Sequence, residues 1–231
     1  MQQEERRRYM IGALLRERGD NSPDAIPPEE EQQWRLLRGL MNVRPPAPVS
    51  QAFLQVQDAY LQEHLAERGV TCASDLRPLQ EGICLWRGDI TTLRCGAIVN
   101  AANSGMTGCY QPCHGCIDNA IHTFAGVQLR LKCAELMACQ GCEEPVGRAK
   151  ITPAYNLPLR LRDPHCGPHG AGQADTAALP AAGGLLPGLL AGRGGKQRGE
   201  YRLLLHLHGG VHVPRGQGGG DCGAHGAALP G

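Results

Sequence analysis

Ile98-Val99-Asn100-Ala101-Ala102-Asn103-Ser104-Gly105 is the stretch that decides the fold. A short apolar run passing into small and polar residues reads as a buried strand that ends in a loop. A glycine-rich turn covers 105–115. After it, 117–137 carries Ile117, Ile121, Phe124, Leu129 and Leu136 at helical spacing, which predicts one long helix. Residues 83–86 and 149–154 read as further strands. In an open α/β sheet, ligands bind beyond the C-terminal ends of strands, and small residues there let backbone N–H groups approach phosphates.

Upstream the period is helical throughout. Residues 9–15 place Ile11, Leu14 and Leu15 on one face, and 30–42 do the same with Trp34, Leu37, Leu40 and Met41 behind Pro27-Pro28. Pro45, Pro46 and Pro48 break the chain before a third amphipathic stretch at 53–65. Helices first, then alternating strand and helix, predicts an α/β domain behind a helical extension.

Composition divides the 231 residues at about 158. Of 32 glycines, 19 fall in 159–231, a stretch with no Ile, Phe, Asn, Ser, Met or Trp. Such a segment reads as low complexity and is expected to lack a stable fold. The formal net charge of +1 argues against nucleic acid as a partner. No apolar run approaches the roughly 20 residues of a bilayer span, so no membrane partner is expected. Eleven cysteines without an export signal predict a cytoplasmic protein whose thiols bind metal or sit buried.

The chemistry concentrates in Trp86-Arg87-Gly88-Asp89-Ile90-Thr91, in the strand-end loop above, and in Gly108-Cys109-Tyr110-Gln111-Pro112-Cys113-His114-Gly115-Cys116-Ile117-Asp118-Asn119. Cys109, His114 and Cys116 have the types and spacing to hold one Zn²⁺ with a fourth position open. Cys113 would close the site instead, or the loop holds unrelated buried thiols; spacing does not decide. Asp118 and Asn119 open the helix and serve either as caps favoured by the dipole or as ligand contacts.

Together G-D-I-T, A-I-V-N-A-A-N-S and G-C-Y-Q-P-C-H-G-C-I-D-N-A-I-H resemble the zinc-containing macrodomains, hydrolases that remove ADP-ribose from proteins. R-L-L-R-G-L-M-N-V-R-P-P and F-L-Q-V-Q-D-A-Y-L-Q resemble that family's helical extension. Cys95-Gly96 departs from it, standing where an apolar residue and Asp usually precede the strand. The resemblance implies a three-layer α/β/α sheet sandwich, with 1–70 as the extension and 71–158 as the N-terminal portion of the macrodomain. It implies one Zn²⁺ on Cys109, His114 and Cys116. Asp89 recognises adenine with Ile90 lining its site, Asn100 and Asn103 hold the distal ribose, and Ile117, Asp118 and Asn119 complete the ADP-ribose site. Asp118 and Asn103 are the implied catalytic residues, and ADP-ribose and ADP-ribosylated protein the implied partners. A zinc-free reader with the same pocket and no turnover is the alternative.

The family's next segments, V-I-H-T-V-G-P and I-S-T-G-V-F, are missing after Pro158. Back-translating 162–171 and 207–216 and reading one nucleotide later permits both. The expectation is one extra nucleotide near the Pro158 codon, a frame-shifted tail over 159–231, and the loss of the C-terminal part of the sandwich. The histidines at 165, 169, 206, 208 and 212 are then products of the frame, and an inactive product of the shifted frame stands as a further alternative to the hydrolase.

Overall fold

The computed structural model describes residues 1–22, 24–80, 83–159 and 203–208. Three helices come first: α1 (Gln3–Glu17), α2 (Glu30–Val43) and α3 (Gln51–Arg68). Each contains the apolar period expected there. Met10, Ile11, Leu14, Leu37, Leu40, Met41, Phe53, Tyr60 and Leu61 interlock as one buried core. Ser50 caps α3 by accepting from the Phe53 N–H at 3.1 Å.

Four short strands follow, β1 (Thr71–Cys72), β2 (Pro78–Gln80), β3 (Ile83–Cys84) and β4 (Leu93–Arg94), with β1 parallel to β4 and β2 antiparallel to β3. The buried strand expected at 83–86 is corrected here. β3 is two residues long, Ile83 is 49% exposed and Leu85 79%, because the β2–β3 hairpin lies against neither apolar cluster.

β5 (Ala97–Ala102) is the strand foreseen from the sequence, and its alternation is plain. Ile98, Asn100 and Ala102 are buried, while Val99 and Ala101 are exposed. The long helix is corrected to two, α4 (Ile117–Ala125) and α5 (Val127–Gln140), broken at Gly126. Gly126 has φ +101, a conformation disfavoured for any residue with a Cβ, and the amide of Val127 beyond it is taken by Gln57 Oε1 at 2.9 Å. Ile98, Ile121, Leu129, Cys133, Ala154, Leu157 and Leu159 form a second core, so packing continues one residue past the expected break at 158.

β6 (Ala149–Pro153) and β7 (Leu203–His208) complete a sheet of order β5-β7-β6, with β7 parallel to β5 and antiparallel to β6. This corrects the expectation of a tail without structure at these six residues. Leu-Leu-Leu-His-Leu-His is a run free of Gly and Pro, and a near-continuous apolar run suits a strand paired on both sides. The frame-shift reading and the other tail histidines fall outside the described residues. The fold is α/β, a small sheet with helices, as expected. Among the described residues no helix is long and apolar enough to cross a membrane.

Candidate metal and ligand site

The loop between β5 and α4 gathers what the sequence singled out. Cys109, His114 and Cys116 each offer a ligand atom, all within 4.8 Å of one another. Cys109 Sγ lies 3.6 Å from His114 Nδ1. Two thiols and an imidazole are soft and borderline donors, and three of them suit a tetrahedral ion with one position left for a reactant. Burial pushes the Cys116 thiol up, with Cys109 beside it adding to the rise. Losing that proton to a bound cation would reverse the effect. Cys113, close in sequence, turns away: its Sγ donates to the Arg35 carbonyl of α2 at 3.3 Å.

Cys116 also starts α4, its sulfur accepting from the Asn119 N–H at 3.4 Å as the N-cap. That cap fixes the first turn, which carries Asp118. The carboxyl of Asp118 is buried and receives a hydrogen bond from Asn100 Nδ2 on β5 at 2.7 Å. Burial pushes its pKa up, partly opposed by the Asn100 amide and the Arg130 charge. His122 stands one turn on, its Nε2 3.6 Å from Asp118 Oδ1. Gly108, with φ +85, passes so close to that imidazole that a Cβ would sit 2.7 Å from the ring.

Asn103 is exposed at the end of β5, its Nδ2 donating to the Gly108 carbonyl at 3.2 Å. Ile117 is 39% exposed. Asn119 is fully buried, and its amide is spent on the loop: Nδ2 donates to the Gln111 carbonyl at 2.9 Å and Oδ1 accepts from Arg38 at 2.8 Å. It therefore enters the site as a brace.

Asp89 caps the short 3-10 turn Ile90–Thr92. Its Oδ1 accepts from the Thr91 amide at 2.9 Å and the Thr91 hydroxyl at 2.6 Å, and its Oδ2 is paired with Arg68. Burial alone would raise this carboxyl, but the Thr91 donors and the Arg68 charge outweigh it and hold the pKa below the usual carboxylate range. Ile90 packs against the second core beside it. The Arg68 guanidinium lies 4.0 Å over the Phe124 ring, which ties α3, the 89–92 turn and α4 together.

One residue central to the site, Arg130, had no signal in the sequence motifs. Arg130 is buried and donates to the carbonyls of Thr107 (2.8 Å), Cys109 (3.2 Å), Met41 (3.2 Å), Asn42 (2.6 Å) and Arg44 (2.7 Å). One guanidinium thus joins the end of α2 to the cysteine loop, with its charge over the Tyr110 ring at 4.2 Å. Arg38, Asn42 and His122 lie within the stretches R-L-L-R-G-L-M-N-V-R-P-P and G-C-Y-Q-P-C-H-G-C-I-D-N-A-I-H, but residue spacing alone gives them no role there.

Residues 99–177 match the family model described as Macro domain. The chain is 56% identical over 177 residues to the protein-ADP-ribose hydrolase of Treponema medium, covering 75% of this chain and 68% of that protein. It is 54% identical over 153 residues to the protein-ADP-ribose hydrolase of Staphylococcus aureus (strain MRSA252), covering 66% of this chain and 57% of that protein.

Proposed function

The chain belongs to the Macro domain family of protein-ADP-ribose hydrolases, and from that premise we propose that it is a zinc-dependent hydrolase removing ADP-ribose from modified protein side chains. One observation carries the reading beyond the family name. The Cys109, His114 and Cys116 donors converge on a loop whose last ligand caps the helix turn holding Asp118. A metal site and a buried acid are thereby built on one hinge of backbone.

These donors fit Zn²⁺, which when bound supplies Lewis acidity at an oxygen of the substrate or of water. The chain's own residues divide the remaining work. Asp89 recognises the adenine amino group: three donors occupy its carboxylate, which offers about four lone-pair sites. Ile90 lines that end. Asn100 and Asn103 hold the distal ribose, Asn100 while keeping Asp118 oriented. Asp118 accepts a proton from water at the scissile glycosidic bond, a task suited to a carboxyl raised by burial. The glycosidic bond between the ribose carbon and the target side chain breaks, the hydroxyl of water joins the ribose carbon, and the side chain leaves with the proton.

ADP-ribose and an ADP-ribosylated protein are the partners of this reading. The near-neutral charge supports the absence of nucleic acid, and free cysteines support the reducing cytoplasm. The test is release of free ADP-ribose from a mono-ADP-ribosylated protein, with and without a zinc chelator. Release that stops with the chelator and returns with added zinc is expected. Tight ADP-ribose binding without release would identify a reader instead, and release indifferent to the chelator would remove zinc from the chemistry.

A further inference from the structure

We propose that Arg38 and Asn42 of α2 are positioning residues for the cysteine loop, so that the metal set is aimed by these two side chains rather than by the loop itself. The proposal rests on the metal reading above and concerns what holds its imidazole ligand in place.

Three residues of α2 at helical spacing, Arg35, Arg38 and Asn42, touch the loop, while Leu37, Leu40 and Met41 on the other flank are buried in the three-helix core. Asn42 Oδ1 accepts from the Cys113 N–H at 2.9 Å. Arg38 Nη2 donates to the His114 carbonyl at 2.8 Å. The backbone of His114 is therefore gripped on both sides by one helix. Between the two grips, Cys113 has φ +53, a left-handed conformation disfavoured for a residue with a Cβ. A disfavoured turn persists only where its surroundings over-determine it, and here the Asn42 and Arg35 bonds to Cys113 do so.

The result is direction. With Cys113 reversed, the His114 ring points back at Cys109. The same Arg38 nitrogen reaches Asn119 Oδ1 at 2.8 Å, and the Asn119 N–H bonds Cys116 Sγ. One side chain of α2 thus couples the imidazole ligand to the turn that sets the second thiol. Asn42 is anchored from its other end by donating to Thr123 Oγ1 on α4 at 2.9 Å. Partners that orient the ligands of a metal from outside its coordination sphere typically contribute 10- to 100-fold in affinity.

The experiment measures Zn²⁺ affinity by competition with a chromophoric chelator, and the visible spectrum of the Co²⁺-loaded protein, on the full chain. Arg38→Met and Asn42→Leu should weaken zinc by roughly 10- to 100-fold and alter the cobalt bands. Arg38→Lys, which can still donate to one carbonyl, should lose less. Leu14→Ala, which loosens the three-helix core without touching the loop, is the control and should bind zinc nearly as wild type does. A second readout covers variants that lose stability: in zinc-free protein, Asn42→Leu should speed amide exchange at 109–116 while amides of α1 stay protected. Wild-type affinity and exchange in both variants would overturn the inference and leave the metal reading standing. So would an equal loss in Leu14→Ala. Wild-type protein that takes up no zinc would overturn the metal reading, and this inference with it.

Discussion

Asn100 Nδ2 donates to Asp118 Oδ1 across 2.7 Å, joining the middle of β5 to the first turn of α4. Both side chains are buried, so the bond holds a carboxyl that burial already disfavours in its charged form. Replacing Asn100 with Leu leaves that carboxyl without its donor and should cost about 1–3 kcal/mol of stability, measured by denaturant unfolding. Asp118→Ala should reduce turnover far more than ADP-ribose affinity, because a proton-transfer role is realised only in the transition state. Equal losses in both would make Asp118 a binding residue.

Asp89 gives the pH prediction. Its folded pKa is depressed below the usual 3.8 by the Thr91 donors and Arg68, against the opposing effect of burial. A depressed carboxyl contributes stability that is complete above the unfolded value and is lost as pH falls through the lower folded value. The contribution is therefore unchanged between pH 5 and pH 8 and fades only below about pH 4. Thr91→Val should move the Asp89 titration upward, as followed by carboxyl NMR. Asp89→Ala should weaken ADP-ribose by about 1–3 kcal/mol in calorimetry; unchanged affinity would take Asp89 out of the adenine site.

Gly108 and Gly126 separate stability from chemistry. Both have positive φ, and a Cβ at Gly126 would stand 2.6 Å from Gln57 Nε2 and from Gln128 Oε1. A Cβ at Gly108 would meet His122, which neighbours Asp118. Alanine at either should cost more than about 1 kcal/mol. Only Gly108→Ala should also lower the specific activity of the protein that remains folded. Equal specific activities in the two variants would show that the His122 contact does not reach the site.

The site was legible where chemistry depends on side-chain type and short spacing. Cys109, His114 and Cys116 come together as their spacing predicts because one loop carries all three. The three early helices were legible because Leu37, Leu40 and Met41, and the equivalent sets on their neighbours, repeat at helical period. What could not be read was set by bonds between side chains and backbone far apart in the chain. The break at Gly126 depends on Gln57, seventy residues earlier, taking the Val127 amide. Arg130 was invisible for the same reason, since its acceptors are carbonyls and any sequence supplies those. β7 was misjudged because glycine-rich composition was averaged over a tail that contains one leucine-rich run free of Gly and Pro.

That strand supports the last prediction. Among the described residues, in the order β5-β7-β6 the outer strands do not pair with each other; each bonds only β7, from Ala97↔Leu203 to Ala102↔His208 on one side and from Ala149↔Leu207 to Pro153↔Leu203 on the other. A chain ended after residue 202 would leave two strands with unpaired N–H and C=O groups, which invite pairing with other chains. Amides of 97–102 and 149–153 should then lose protection in hydrogen exchange. The three-helix core, whose cluster includes no residue of the sheet, should keep its protection. Because Asn100 sits in the middle of β5 opposite His206, the exposed strand should also release Asp118, and turnover should fall together with protection at 97–102. Protection of both strands at the level of the full chain would show that β7 contributes nothing to the sheet and that the site stands on 1–159 alone.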